Sequence, residues 1–235
     1  MPSQNRKAVS VSVIYQRLAK AFGPQHWWPA KSPFEMMVGA ILTQATNWRN
    51  VQRAISQLKQ AQALSAEGLL RLPILRLQRL IRPAGYFRQK TQRLRAFTQW
   101  YIHRYGGRPS RMFQRPWQIL RQELLALRGI GPETADCILL YAGQQPVFAV
   151  DAYTRRVFRR HGVIDGTATY ETIQRLVMKA FGRGAMSGWT HSVSLYNEFH
   201  ALLVAVGKRY CQRKNPDCDH CPLGDLPRKL TKEDG

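Results

Sequence analysis

Leu127-Arg128-Gly129-Ile130-Gly131-Pro132-Glu133-Thr134-Ala135-Asp136 is the stretch that decides the fold. It reads as two helices joined by a glycine hairpin. Gly129 and Gly131 turn the chain, Leu127 and Ile130 face inward to clamp the helices, and Pro132 suits the first helical position, where its missing N–H costs nothing. Backbone N–H groups of such a turn approach a phosphate without interference from a Cβ. An ordinary helix–helix turn uses the same Gly-x-Gly-Pro, so the loop alone leaves both readings open. Twenty residues beyond Gly131 comes Val150-Asp151-Ala152-Tyr153, a lone carboxylate after the apolar run Pro146 to Val150. An acid there is a natural helix N-cap. It is also placed to stabilise a cationic sugar and orient a water beside a DNA-holding loop.

Outward from this segment the apolar residues recur at helical spacing. Val13, Ile14, Leu18 and Phe22 form one face; Phe34, Met37, Val38, Ile41 and Leu42 form another. The Arg-studded segment Leu70 to Ile81 is followed by Leu94 to Ile102, with a helix stop at Gly106-Gly107. Arg108 to Pro116 reads as a Pro-containing linker, and Trp117 to Leu127 as a helix. Val150 to Arg160, Tyr170 to Phe181 and His191 to Val206 complete the set. Val147 to Val150 is at most a brief, unpartnered strand, and Pro222 to Gly235 a loose polar tail. The chain is therefore expected to be all-α.

The 235 residues carry 36 Lys plus Arg against 14 Asp plus Glu, a formal net charge of +22. That surplus implies a polyanionic partner, because neutralising phosphates releases counterions. No apolar run is long enough for a spanning helix, and Met1 to Ala8 lacks a signal-peptide core, so no membrane role is expected and the location is expected to be cytoplasmic, prokaryote-like and nucleoid-associated. In a reducing compartment four cysteines argue for metal binding or burial over disulfides.

Several separate motifs resemble the endonuclease III branch of the helix-hairpin-helix (HhH-GPD) DNA glycosylases, over about Pro33 to Pro222. Phe34-Glu35 with Ile41-Leu42-Thr43-Gln44-Ala45-Thr46 is similar to the segment whose Gln fills the gap left by an extruded base, which implies that role for Gln44. Arg82-Pro83-Ala84-Gly85-Tyr86-Phe87 with Lys90 resembles a second phosphate-gripping turn. Gly129, Gly131, Glu133 and Thr134 belong to the matching hairpin, Asp151 to the catalytic motif, and Cys211-x6-Cys218-x2-Cys221 to the iron–sulfur loop. The resemblance implies a two-lobed fold: residues 25–145 as a six-helix lobe with the hairpin at about 118–143, and residues 1–24 with 146–235 as a second helical lobe bearing the Cys-rich loop 211–221. Double-stranded DNA with an extruded damaged base would lie between them, bound by a monomer. Arg88, Lys90 and Arg93 would add basic charge near the second turn.

Two departures change what the resemblance implies. Bifunctional members carry a Lys two residues after the second hairpin glycine, and here that position is Glu133. A carboxylate cannot form a Schiff base, so a monofunctional glycosylase without lyase activity is expected, with water attacking under the guidance of Asp151. The fourth cluster Cys falls at Pro227. A 4Fe–4S cluster with a non-Cys fourth ligand, His220 or Asp225, zinc on three Cys and His220, and a metal-free loop all remain open. Cys137 reads as a buried small residue.

His26-Trp27-Trp28-Pro29 and Trp48 flank the Gln44 helix. An electron-deficient alkylated purine is held best by aromatic stacking and cation–π contact, so Trp27, Trp28 and Trp48 are candidate pocket walls, as well as candidate core anchors. Trp-Trp-Pro before Leu-Thr-Gln, and Gly-Ile-Gly-x-Glu, also resemble the 3-methyladenine glycosylases of the same superfamily, in some of which a modified Lys supports the pocket; Lys208 sits near the matching place. The expected substrate is an alkylated purine such as 3-methyladenine. Oxidised pyrimidines or mismatched thymine or uracil are the enzymatic alternative, and a non-catalytic damaged-DNA-binding protein is the alternative of another class.

Overall fold

A computed structural model describes residues 9–25, 27, 30–182 and 189–228. The chain divides into two compact units, Met1–Trp27 with Pro146–Gly235, and Trp28–Gln145. Among the described residues every regular element is helical, as the periodicity predicts, and no helix is long and apolar enough to cross a membrane.

The continuous unit is built on α2 (Pro33–Leu42), buried from Phe34 to Leu42. A helix apolar on all sides must be surrounded by others, and here α3 (Trp48–Gln60), α6 (Phe87–Tyr105) and the hairpin's second helix pack on it. Ser32 Oγ accepts from Glu35 N (3.2 Å), while Glu35 Oε2 accepts from Lys31 N (3.3 Å), so the start of α2 is fixed from both directions. Phe34, Tyr101 and Phe97 stack in series, with centroids 5.8 and 6.0 Å apart. A fully buried phenylalanine ring such as Phe97 contributes roughly 1.5–3 kcal/mol. Helices α4 (Ala66–Arg71) and α5 (Ile74–Ile81) resolve the Arg-studded segment into two pieces, because Leu72-Pro73 is extended and breaks it.

The proposed linker Arg108 to Pro116 is not one. Pro109 starts a short helix, α7 (Pro109–Phe113), at the position where proline's fixed φ favours helix entry, and Met112 from it is fully buried. The hairpin follows as α8 (Trp117–Leu125) and α9 (Pro132–Cys137), continued by a π-turn at Ile138–Ala142. Arg121 clamps the pair, donating from Nε to Asp136 Oδ1 at 2.7 Å, where the carboxylate is fully buried.

The discontinuous unit comprises α1 (Val11–Phe22), α10 (Ala152–Arg160), α11 (Tyr170–Phe181) and α12 (Trp189–Arg209). Phe148, Phe158 and Phe181 converge on Phe199 of α12 with centroids 5.6–6.2 Å apart. Val147 to Val150 is buried, has no regular secondary structure and pairs with no strand among the described residues. Two of its backbone groups bond to side chains instead: Tyr170 OH accepts from Val150 N (3.1 Å), and Gln174 Nε2 donates to Phe148 O (2.7 Å). The described part of the tail is not loose. Leu223 is buried, and Pro227 O accepts from His161 Nδ1 at 3.1 Å. Residues 229–235 lie outside the described residues.

Candidate active site

The continuous unit holds the hairpin. Gly129 has φ +86°, a left-handed backbone, and a Cβ built there would meet Arg93 Nε at 2.5 Å. Glycine is required on both counts. Gly131 is extended and caps α9, with open space around its α-carbon. Ile130 is buried as expected; Leu127 is half-buried. Glu133 stands in the first turn of α9, and Thr134 is buried beside it.

Thr134 and Gly129 do more than turn the chain. Gln44 follows α2, and its Nε2 donates to Gly129 O and to Thr134 Oγ1, both at 2.9 Å, while its Oε1 accepts from Arg93. The carboxamide is thus tied to the hairpin before any ligand arrives. Ala45, next in sequence, is left-handed at φ +51°, which swings the chain away from α2 into α3. Arg93 is spent on this clasp, while Arg88, in the first turn of α6, is an exposed cation.

Lys90 departs from its expected role. Its side chain is fully buried, and Nζ donates to Leu42 O (2.8 Å) and Ala84 O (2.7 Å). Burial, with Arg93 nearby, pulls its pKa down to about 8. It is an internal brace between the end of α2 and the Gly85 turn, with no ammonium on the surface for a phosphate. Gly85 (φ +70°) and Tyr86 (φ +45°) form that turn. Tyr86 is 64% exposed, so the turn presents an aromatic ring to solvent.

Trp48 opens α3 and lines a cavity of about 260 Å³ with Gly39, Ile55, Glu35 and Lys59. Lys59 Nζ and Glu35 Oε1 pair at 2.6 Å, with Glu35 buried. Trp27 belongs to the other unit, where Lys208 Nζ lies 5.4 Å from its ring centroid, a cation–π distance. Trp28, with His26 and Pro29, lies outside the described residues.

In the discontinuous unit Asp151 caps α10. Oδ1 accepts from Thr154 N at 2.7 Å, the side chain is nearly buried, and Oδ2 lies 3.6 Å from His200 Nε2. The residue is both an N-cap and a sequestered carboxylate. Burial lowers the His200 pKa against the opposing pull of Asp151, which keeps a neutral imidazole beside the acid. His200 is absent from the expected site; its only sequence signal is a lone histidine inside the apolar run from Phe199 to Val206. Tyr153 packs so tightly on α12 that a Cβ at Gly207 would meet its ring at 2.4 Å. Burial and Asp151 raise the Tyr153 pKa.

Cys211, Cys218 and Cys221 line one cavity, together with Arg160, His161, Tyr210 and Leu223. Arg160, itself buried, donates to Cys211 Sγ (3.2 Å) and to Gln212 O (2.7 Å). A guanidinium aimed at sulfur offsets the charge of a thiolate, so the donor set suits a thiolate-bound centre. Neither expected fourth ligand faces inward. His220 is exposed and bonded to Asp217 at 2.8 Å, and Asp225 pairs with Arg17 at 2.7 Å. Among the described residues no three His, Cys, Asp or Glu side chains form a group that could hold a metal ion. Cys137, in α9, is half-buried and belongs to the continuous unit.

Comparison with known proteins places these features in context. A family model described as "HhH-GPD superfamily base excision DNA repair protein" matches residues 38–183. A candidate DNA repair glycosylase of Methanocaldococcus jannaschii is 42% identical over 91% of this chain and 93% of its own length. Endonuclease III of Thermotoga maritima is 26% identical over 91% of this chain and 90% of its own. Among solved structures, the Helicobacter pylori 3-methyladenine DNA glycosylase bound to 1,N6-ethenoadenine superimposes with a TM-score of 0.74, at 24% identity over 86% of this chain and 98% of that one.

Proposed function

The chain belongs to the HhH-GPD superfamily of base excision DNA repair proteins, and from that premise we propose that it is a monofunctional DNA glycosylase that releases an alkylated purine from double-stranded DNA. The observation that carries the hydrolytic reading is Glu133. The hairpin is complete, yet the position from which an amine would attack the sugar holds a carboxylate. The nucleophile is then water. Water adds to C1′ of the deoxyribose, the N-glycosidic bond breaks, and its electron pair leaves with the base. The Asp151 carboxylate stabilises the cationic sugar and accepts the water's proton. Its Oδ2, beside His200, does this while Oδ1 holds the N-terminus of α10.

Binding follows from charge and stacking. Phosphates meet the N–H groups of the Gly129 and Gly85 turns and exposed cations such as Arg88. Exposed Tyr86 stacks on bases, and Gln44 occupies the gap left by the extruded nucleotide. The Trp48 cavity supports the substrate class through its indole wall, a surface on which a base bearing positive charge stacks; the Glu35 carboxylate there is already neutralised by Lys59. Three cysteines around one cavity, with Arg160 on Cys211, support a 4Fe–4S cluster held by Cys211, Cys218 and Cys221. When bound, that group supplies a rigid anchor for the loop.

The test is base release from duplexes with single lesions, before and after alkali. Release of 3-methyladenine or 7-methylguanine, with strand breakage only after alkali, is expected. Breakage without alkali sinks the hydrolytic reading, and preference for thymine glycol or mismatched uracil sinks the substrate assignment.

A further inference from the structure

Pro227 occupies the position where the cysteine spacing calls for a fourth ligand, and a pyrrolidine ring has no donor atom. What stands beside that backbone is His161, at the C-terminus of α10. Its ring is buried, it lines the same cavity as Cys211, Cys218 and Cys221, and its Nδ1 is 3.1 Å from Pro227 O. A carbonyl oxygen only accepts, so Nδ1 carries the hydrogen. In a neutral imidazole the lone pair then resides on Nε2. An imidazole that donates one N–H to a backbone carbonyl and keeps the other nitrogen as base is how proteins present histidine to a metal.

The neighbouring residues argue the same way. His220 and Asp225, the polar side chains of the loop itself, are exposed and taken up by Asp217 and Arg17. Arg160, adjacent to His161, is fastened to Cys211 Sγ, Gln212 O and Arg213 O. Position 161 is therefore held against the loop by its neighbour's guanidinium, from outside the Cys-x6-Cys-x2-Cys stretch.

We propose that His161 is the fourth protein ligand of the centre held by Cys211, Cys218 and Cys221, replacing the thiolate lost at Pro227. The proposal rests on the cluster reading above. Replacing a thiolate with a neutral imidazole makes the centre one unit less negative, which raises its reduction potential relative to an all-cysteine cluster.

The experiment is anaerobic reconstitution of the full chain with iron and sulfide, using wild type, His161→Ala and His161→Cys. Iron, acid-labile sulfide, the charge-transfer absorbance and pulsed electron paramagnetic resonance of the reduced form are measured, with circular dichroism to verify helix content. In wild type a nitrogen hyperfine coupling assignable to imidazole is expected. His161→Cys should keep the iron, lose that coupling and reduce at lower potential. His161→Ala should bind less iron per chain at unchanged helix content. A wild type that takes up neither iron nor sulfide overturns the cluster reading itself. A wild type that takes up both but shows no nitrogen coupling, with His161→Ala equally loaded, overturns only the assignment of His161.

Discussion

Asp151 Oδ2 and His200 Nε2 lie 3.6 Å apart, both side chains nearly or fully buried, while the other oxygen of Asp151 fastens the first turn of α10. The two functions of this carboxylate are separable. Asparagine is as good an N-cap as aspartate, so Asp151→Asn should leave the unfolding midpoint within a few tenths of a kcal/mol and keep duplex affinity. Base release should fall by about 100-fold or more. Urea titration and single-turnover assays on one preparation check this; equal losses of stability and rate would assign Asp151 a capping role alone.

His200 makes stability depend on acidity. Burial depresses its folded pKa, so the unfolded chain binds the proton more readily. Stability is held above the ordinary imidazole value of about 6.5 and lost as pH falls below it. His200→Gln cannot take that proton and should flatten the loss between pH 7 and 5, measured by urea unfolding. Identical slopes in both proteins would contradict the placement of His200.

Lys90 acts with the same sign in a more alkaline window. Its pKa near 8 against an unfolded value of about 10.4 means that stability rises as pH climbs between those values. Lys90→Met should abolish that rise. At pH 7 the same variant leaves Leu42 O and Ala84 O without their donor, at about 1–3 kcal/mol for each acceptor, offset in part by removing a buried charge. Thermal unfolding at pH 7.5 and 10 separates the two effects.

Gly129→Ala sets a methyl group against Arg93 at a left-handed backbone position. Strain of about 1–3 kcal/mol is expected, and displacement of Arg93 unfastens Gln44. Duplex affinity should drop more than it does in Arg88→Ala, which removes a single exposed cation. Fluorescence anisotropy at one fixed salt concentration compares them.

Glu133→Lys restores an amine at the hairpin. Borohydride should then trap a covalent complex with abasic DNA, while the wild type yields none. Trapping by the wild type would place the nucleophile elsewhere.

The sequence was legible wherever periodicity or caps set the outcome. Tyr170 to Phe181 is a helix over the range that its spacing predicts. Arg108 to Pro116 misled because proline marks both loops and first helical turns, and Met112, the buried contact that decides between them, has no local signature. Lys90 misled for a related reason. Among the five basic residues from Arg82 to Arg95, nothing in the spacing tells which stem points inward; the carbonyls of Leu42 and Ala84 do, and Leu42 comes from a distant segment. His200 and His161 were invisible because each owes its interest to a partner about 50 or more residues away.

Helix α10 has nine residues, a rod of about 13.5 Å. Its first turn is pinned by Asp151 and its last by Arg160 and His161 against the cysteine loop. A rigid rod transmits displacement without absorbing it. Oxidants that attack the sulfurs therefore act on the far end of the part that carries the acid, and a loss of activity under oxidative stress would need no chemical damage to Asp151 itself.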